Sequence, residues 1–345
     1  MRGEDMTLNG KNILITGGTG SLGKKLVDII LKNHNPRRLV VFSRDEVKQL
    51  ELRRKYSTTN DTTMRYFIGN IRDRERLYRA FRGVDTVIHA AALKQVPTAE
   101  YNPLEVIKTN IIGAANIIDA AIDCGVKNVI AISTDKAVNP VNLYGATKLC
   151  SDKLFVAAGV YSGETETRFS VVRYGNVIGS RGSVIPLFLE HRNSGTLPVT
   201  DKRMTRFWIT VDQAADFVIH SLNRMQGGEI FVPKLPSMKI VDVAKTLAPN
   251  CQIKVVGIRP GEKIHEVLIT EDEARRTLEL DDAFVVHPTS TAESWKNDPI
   301  VENKRVPENF RYSSDGTDWW LSPDDLEKMV DTKGNNPTSK KAKVA

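Results

Sequence analysis

The chain has three cysteines in 345 residues, Cys124, Cys150 and Cys251, far apart, odd in number and never in C-x-x-C spacing. That excludes a disulfide scaffold and a zinc ribbon and fits a reducing compartment, so a cytoplasmic location is expected. The six histidines show no H-x-x-x-H spacing, and no metal centre is expected. No run of about 18 apolar residues occurs, and the N-terminal residues form no apolar signal region, so no membrane association is expected; Met6 is as good a start as Met1. Aromatics make up 7% of the residues and do not interleave with basic clusters, which argues against a nucleic-acid partner.

At 41% hydrophobic and 26% charged residues, the composition is that of an ordinary globular chain. The formal net charge is +7, but Lys333, Lys340, Lys341 and Lys343 against Asp331 place three of those charges in residues 331–345. That Gly/Asn/Pro/Ser-rich stretch reads as a disordered basic tail. The body is mildly basic, which suits a phosphorylated metabolite better than a nucleic-acid backbone.

Short β-branched runs alternate with longer amphipathic segments through the first 175 residues. The runs are Asn12–Thr16, Arg38–Phe42, Met64–Ile68, Thr86–Ala90, Asn128–Ser133 and Phe169–Arg173. Continuous apolar strands separated by helices predict an α/β fold, a doubly wound parallel Rossmann sheet over residues 6–175. After Tyr174 the rhythm breaks into Gly/Pro-rich turns, amphipathic segments near Asp212–Asn223 and Ile240–Leu247, and a strand at Gln252–Val256. Residues 176–330 are read as a smaller C-terminal substrate-binding lobe.

The first strand runs into Gly17-x-x-Gly20-x-x-Gly23 at a strand-to-helix turn. Glycines there let a pyrophosphate approach main-chain N–H groups at a helix N-terminus. The loop makes Gly17, Thr19, Gly20, Ser21, Leu22 and Gly23 dinucleotide-binding candidates. The second strand ends in Phe42-Ser43-Arg44-Asp45, where an NAD enzyme usually presents an acid to the ribose. Ser43 and Arg44, with Lys48 one turn on, would bind a 2′-phosphate, so NADP is the expected cofactor. In the alternative, Arg44 is a surface residue and Asp45 takes the ribose. Asn70 offers an amide to adenine, and Ile71, Ala90 and Ala91 follow the third and fourth strands at the same sheet edge.

The fifth strand ends in Ser133-Thr134-Asp135-Lys136, followed by Tyr144-x-x-x-Lys148. On a helix Tyr144 and Lys148 share a face. A lysine ammonium beside a phenol favours phenolate, so Lys148 is expected to draw the Tyr144 pKa toward neutrality and make it a base toward a hydroxyl.

With Asn110 and the glycine loop, these residues resemble the extended short-chain dehydrogenase/reductase superfamily over nearly the whole chain. Ser133–Pro140, His89–Lys94, Arg173–Val177 and Arg259–Lys263 are more narrowly similar to the soluble UDP-N-acetylglucosamine 4,6-dehydratases, in particular the C5-inverting type that opens pseudaminic acid synthesis. Longer membrane-bound relatives commonly carry methionine where Tyr144 stands; Asn70 departs from the family's usual aspartate. The resemblance implies nucleotide-sugar biosynthesis for glycans, with a UDP-sugar substrate. It gives Asp135 the departing C6 oxygen and Lys136 the C5 proton, with a nearby cation such as Lys148 lowering the Lys136 pKa. In the alternative, Asp135 and Lys136 form a structural ion pair. Thr134 would bond the reacting hydroxyl, and Asn110 would be a positioning residue beside the cofactor or a tie between backbone segments. Lys94 sits where it could touch sugar or phosphate. Arg181, Arg206 and Arg259 are candidates for the diphosphate, Asn176 and Arg259 being the firmer pair, with Glu262 near the uridine ribose. The superfamily pairs subunits through helices here around Pro103–Cys124 and Leu143–Ala158, so a homo-oligomer is expected. Competing readings are an NADP-dependent 4-epimerase or reductase, which would not need Asp135–Lys136, and a non-catalytic NADP-binding regulator.

Overall fold

A computed structural model describes residues 8–56, 63–160, 162, 165–180, 183–288 and 305–331. The chain divides into two compact units. The first begins with β1 (Asn12–Thr16), α1 (Ser21–Asn33), β2 (Arg38–Ser43), α2 (Glu46–Tyr56), β3 (Met64–Ile68), α3 (Arg74–Phe81) and β4 (Thr86–His89). It continues through α4 (Val96–Tyr101), α5 (Pro103–Ile107), α6 (Gly113–Asp123), β5 (Asn128–Thr134), α7 (Leu143–Ala158) and β6 (Arg168–Tyr174). The sheet order is β3-β2-β1-β4-β5-β6, every pair parallel. Ile13–Ile15, Leu39–Phe42, Val87–Ile88 and Val129–Ala131 are almost wholly buried, as strands covered on both faces must be.

Residues 176–330 do not form one contiguous piece. Segments 211–234 and 267–313 return to the first unit. Strand Ile230–Pro233, buried throughout, pairs parallel to β6; Ala283–Val286 and Thr277–Glu279 then add antiparallel strands, completing nine. The reason is edge coverage: without Ile230–Pro233 the apolar β6 would end the sheet.

The second unit comprises Asn176–Thr210, Leu235–Glu266 and the chain from Ser314. It holds a three-stranded sheet, with Thr205–Ile209 between Asn176–Val177 and Ser237–Lys239, and a parallel pair of Thr196–Val199 with Gln252–Val255. Helices Val184–His191, Ile240–Leu247 and Pro323–Asp331 enclose a core including Phe188, Trp208, Val243 and Leu326. The expected tail lies outside the described residues beyond Asp331. No described helix is long and apolar enough to cross a membrane.

Candidate active site

In the first unit, β1, β2, β3 and β4 open at their C-terminal ends onto a cleft of about 730 Å³, a size suited to a nucleotide cofactor. Ten of the expected cofactor residues line it: Gly17, Thr19, Gly20, Ser43, Arg44, Lys48, Asn70, Ile71, Ala90 and Ala91. Ser21, Leu22 and Gly23 instead open α1. Gly17 has φ +67°, and a Cβ on it would fall 2.8 Å from the Ala91 nitrogen, so only glycine leaves this floor open to a phosphate. That cradle, the helix start behind it and the basic rim fit a dinucleotide.

At the rim, Ser43 is buried and its Oγ accepts from Gln49 Nε2 at 3.0 Å, while Arg44 is exposed. Asp45 also lines the cleft, ion-paired with Lys48, whose hydrogen bonding holds its carboxyl below the usual range. Lys48 therefore neutralises the acid that would repel a 2′-phosphate. Asn70 Oδ1 accepts from Arg72 N at 3.1 Å, leaving its NH2 as the donor for a base. Phe42, Gly69, Ala92 and Thr109 complete the lining and were not anticipated, since a plain apolar or small residue carries no ligand signature.

The reactive cluster grows from the end of β5. Thr134 caps a short 3-10 turn, Asp135–Ala137, its Oγ1 accepting from Lys136 N at 3.3 Å and donating to Asp135 Oδ1 at 2.9 Å. Lys136 Nζ lies 3.1 Å from the same Oδ1. Asp135 is fully buried, whereas the Lys136 side chain is 28% exposed and can reach a ligand. Beyond the turn, Asn139 adopts φ +45°, a left-handed conformation asparagine tolerates, and Asn142 caps α7 by accepting from Gly145 N at 2.8 Å. Gly145 lets α7 press against the turn: any Cβ there would overlap the Lys136 carbonyl oxygen. This close approach sets Tyr144 beside Thr134, Asp135 and Lys136, all of which act on its pKa.

The Tyr144 shift runs opposite to the direction expected from a neighbouring lysine. Burial pushes the Tyr144 phenol up to about 12, opposed chiefly by the Lys136 charge. Lys148, also buried, is itself lowered by burial and is coupled to Asp152, one turn further along α7. Asp152 accepts from Ser133 Oγ at 2.7 Å and lies 3.6 Å from Arg173, which pairs with Glu273 at 3.1 Å. Burial nonetheless raises the Asp152 carboxyl. His89 bonds Thr16 Oγ1 at 2.8 Å and is held neutral, its pKa lowered to about 3 by burial and then by Lys148. Lys94 feels the Lys136 charge: its pKa is lowered first by desolvation and then by Lys136.

Asn110 sits in a π-helical turn, Lys108–Ile112, between α5 and α6. Its amide bonds both backbone groups of Leu93 and the Thr147 hydroxyl. It thus fixes the segment bearing Lys94 against α7.

In the second unit, Asn176 Oδ1 is buried and has no hydrogen-bond partner among the described residues. Arg259 and Glu262 share a turn: Arg259 N donates to Glu262 Oε2 at 3.3 Å, and the exposed guanidinium lies 4.0 Å from the carboxylate. Arg206 is not available to a phosphate. It is buried, and its guanidinium donates to the carbonyls of Thr205, Ile264 and Lys263 at 2.7, 2.9 and 2.9 Å. Arg181 lies outside the described residues.

A family model described as polysaccharide biosynthesis protein matches residues 13–288. An inverting UDP-N-acetylglucosamine 4,6-dehydratase of Campylobacter jejuni is 53% identical over 93% of this chain and 98% of its own. A UDP-glucose 4-epimerase of Rickettsia conorii is 40% identical over 79% of this chain and 82% of its own. Among solved structures, Pen from Bacillus thuringiensis superposes with a TM-score of 0.85 at 37% identity, covering 94% of this chain and 98% of that one.

Proposed function

We infer the function from one premise: the chain belongs to the polysaccharide biosynthesis protein family, and within it acts as a nucleotide-sugar 4,6-dehydratase. The substrate is UDP-N-acetylglucosamine and the reaction is of the inverting type. The observation that carries this reading is the contiguous Thr134-Asp135-Lys136 turn packed against Tyr144. A tyrosine and a nicotinamide suffice to oxidise C4; elimination at C5 and C6 needs a further acid and base beside them.

When bound, a nicotinamide dinucleotide supplies a reversible hydride store, filled from sugar C4 and emptied onto C6. The residues that would hold it are Gly17, Thr19, Gly20, Ser43, Arg44, Lys48, Asn70, Ile71, Ala90 and Ala91, with Tyr144 and Lys148 near its reactive end. We propose NADP over NAD, because Arg44 and Ser43 stand at the rim and Lys48 cancels the Asp45 charge.

Thr134 orients the C4 hydroxyl and Tyr144 takes its proton. The resulting ketone acidifies C5, Lys136 removes that proton, Asp135 protonates the C6 oxygen as it leaves as water, and a solvent-derived proton adds to the opposite face of C5, which inverts it. Lys94 and Lys136 present like charges to each other, and the Lys136 charge lowers the Lys94 pKa. Asn176, Arg181 and Arg259 take the diphosphate and Glu262 the ribose of the uridine. A cytoplasmic homo-oligomer completes the reading.

The test is proton NMR of the protein with UDP-N-acetylglucosamine in heavy water. A new C6 methyl, deuterium at C5 and no lasting absorbance at 340 nm are expected. The epimerase reading is favoured by the Rickettsia relative, and it would instead give only the C4 epimer.

A further inference from the structure

The buried face of α2 is made by Gln49, Leu52 and Tyr56, and its first member is an amide where the apolar stripe of a covering helix would place a hydrocarbon. Gln49 is 4% exposed, and a buried amide is costly unless its hydrogen bonds are made inside the protein. They are made at one spot. Gln49 Nε2 donates to the Phe67 carbonyl at 2.9 Å, to the Ser43 carbonyl at 3.1 Å and to Ser43 Oγ at 3.0 Å.

The two carbonyl oxygens can only accept, so they fix which end of the amide faces them: it is the NH2. That nitrogen donates and does not accept, which leaves the third contact one sense, with Ser43 Oγ as the acceptor. A serine hydroxyl has one proton and two lone pairs, and Gln49 occupies a lone pair. The proton remains. Among the described residues no group accepts it, and Ser43 stands on the wall of the cofactor cleft with Arg44 and Lys48.

The direction of that hydroxyl matters to a phosphate more than to a sugar. A phosphate dianion only accepts, whereas a ribose hydroxyl both donates and accepts and can meet Ser43 either way round. Resting on the NADP reading, we propose that Gln49 is a positioning residue for cofactor choice: it holds the Ser43 hydroxyl as a donor toward the 2′-phosphate of NADP without itself touching the cofactor. Without the amide, the Ser43 and Phe67 carbonyls lose their donor, the Ser43 proton turns inward to serve them, and the oxygen presents lone pairs to the phosphate. A glutamine that merely tied the end of β2 to β3 would support NADP and NAD binding alike.

The test is calorimetric titration of the full chain with NADP and with NAD, reading the ratio of the two Kd values. Ser43→Ala should lower the preference for NADP by roughly 10-fold, the worth of one hydrogen bond to a charged group. Gln49→Met should lower it by about the same factor, and the double variant by no more than either alone, because both changes remove the same donor. Gln49→Leu, an apolar filler of different shape, repeats the measurement if the methionine variant does not fold. A wild-type ratio in a Gln49 variant, whether the two affinities hold or fall together, overturns the proposal, as do losses that multiply in the double variant. Ser43→Ala with wild-type preference overturns it with no Gln49 variant needed. A wild type that binds NAD as tightly as NADP refutes the NADP reading instead.

Discussion

Asn110 engages both polar groups of the Leu93 backbone: its Oδ1 accepts from Leu93 N at 2.9 Å and its Nδ2 donates to the Leu93 carbonyl at 2.9 Å. A third bond, 3.0 Å to Thr147 Oγ1, ties that segment to the helix bearing Tyr144 and Lys148. Asn110→Ala removes all three and leaves buried partners unsatisfied, so a loss of about 2–4 kcal/mol is expected in denaturant melts. Asn110→Asp retains the acceptor but turns a carboxylate toward two acceptor oxygens, and should be at least as destabilising.

Gly145→Ala places a methyl group on the Lys136 carbonyl oxygen, forcing α7 and the reactive turn apart. An active-site displacement near 1 Å commonly costs on the order of 100-fold in rate. We expect kcat to fall by about that factor while cofactor affinity, measured by fluorescence quenching, changes little.

Arg44→Ala should weaken NADP binding by roughly 10- to 100-fold, the worth of a charge-assisted phosphate contact, while leaving NAD affinity nearly unchanged. Calorimetric titration with both cofactors checks this. Equal losses for the two would assign Arg44 to the shared pyrophosphate or adenine.

Asp152→Asn has a consequence of definite sign in pH. Burial lowers the Lys148 pKa and the Asp152 charge opposes that lowering. Removing the charge lowers the pKa further, so Lys148 loses its proton at a lower pH and the alkaline limb of the kcat/KM profile moves toward acid. Asp152→Glu should restore it; a loss of stability without displacement of the limb would mean that Asp152 is only structural.

Local pattern disclosed much of the fold and less of its assembly. Asn12–Thr16 and Met64–Ile68 form strands with the expected bounds, and the other four early strands agree to within one residue at either end, because unbroken apolar runs leave few alternatives. Helix Val211–Arg224 was equally legible as an element, yet it belongs to the sheet-bearing unit and not to the expected lobe. Amphipathic periodicity says that a face is buried, not what buries it. The π-helical turn around Asn110 was hidden inside a continuous apolar stripe. At the site, Tyr144, Thr134, Asp135 and Lys136 were named as a group, but the direction of the Tyr144 shift depends on how deeply the phenol is buried, which spacing does not reveal.

The return of Ile230–Pro233 to the sheet also orders events at the ribosome. Until that strand has emerged, β6 stands as an exposed apolar edge open to any other extended chain, although every residue of the glycine loop and the reactive turn has already been made. A gene truncated after residue 175 would therefore encode the proposed chemistry and yield insoluble protein. Extending the fragment through Asp331, which adds the edge strands ending at Val286 and the helix that closes the second core, should recover solubility, because the later half of the message supplies the seal for the earlier half.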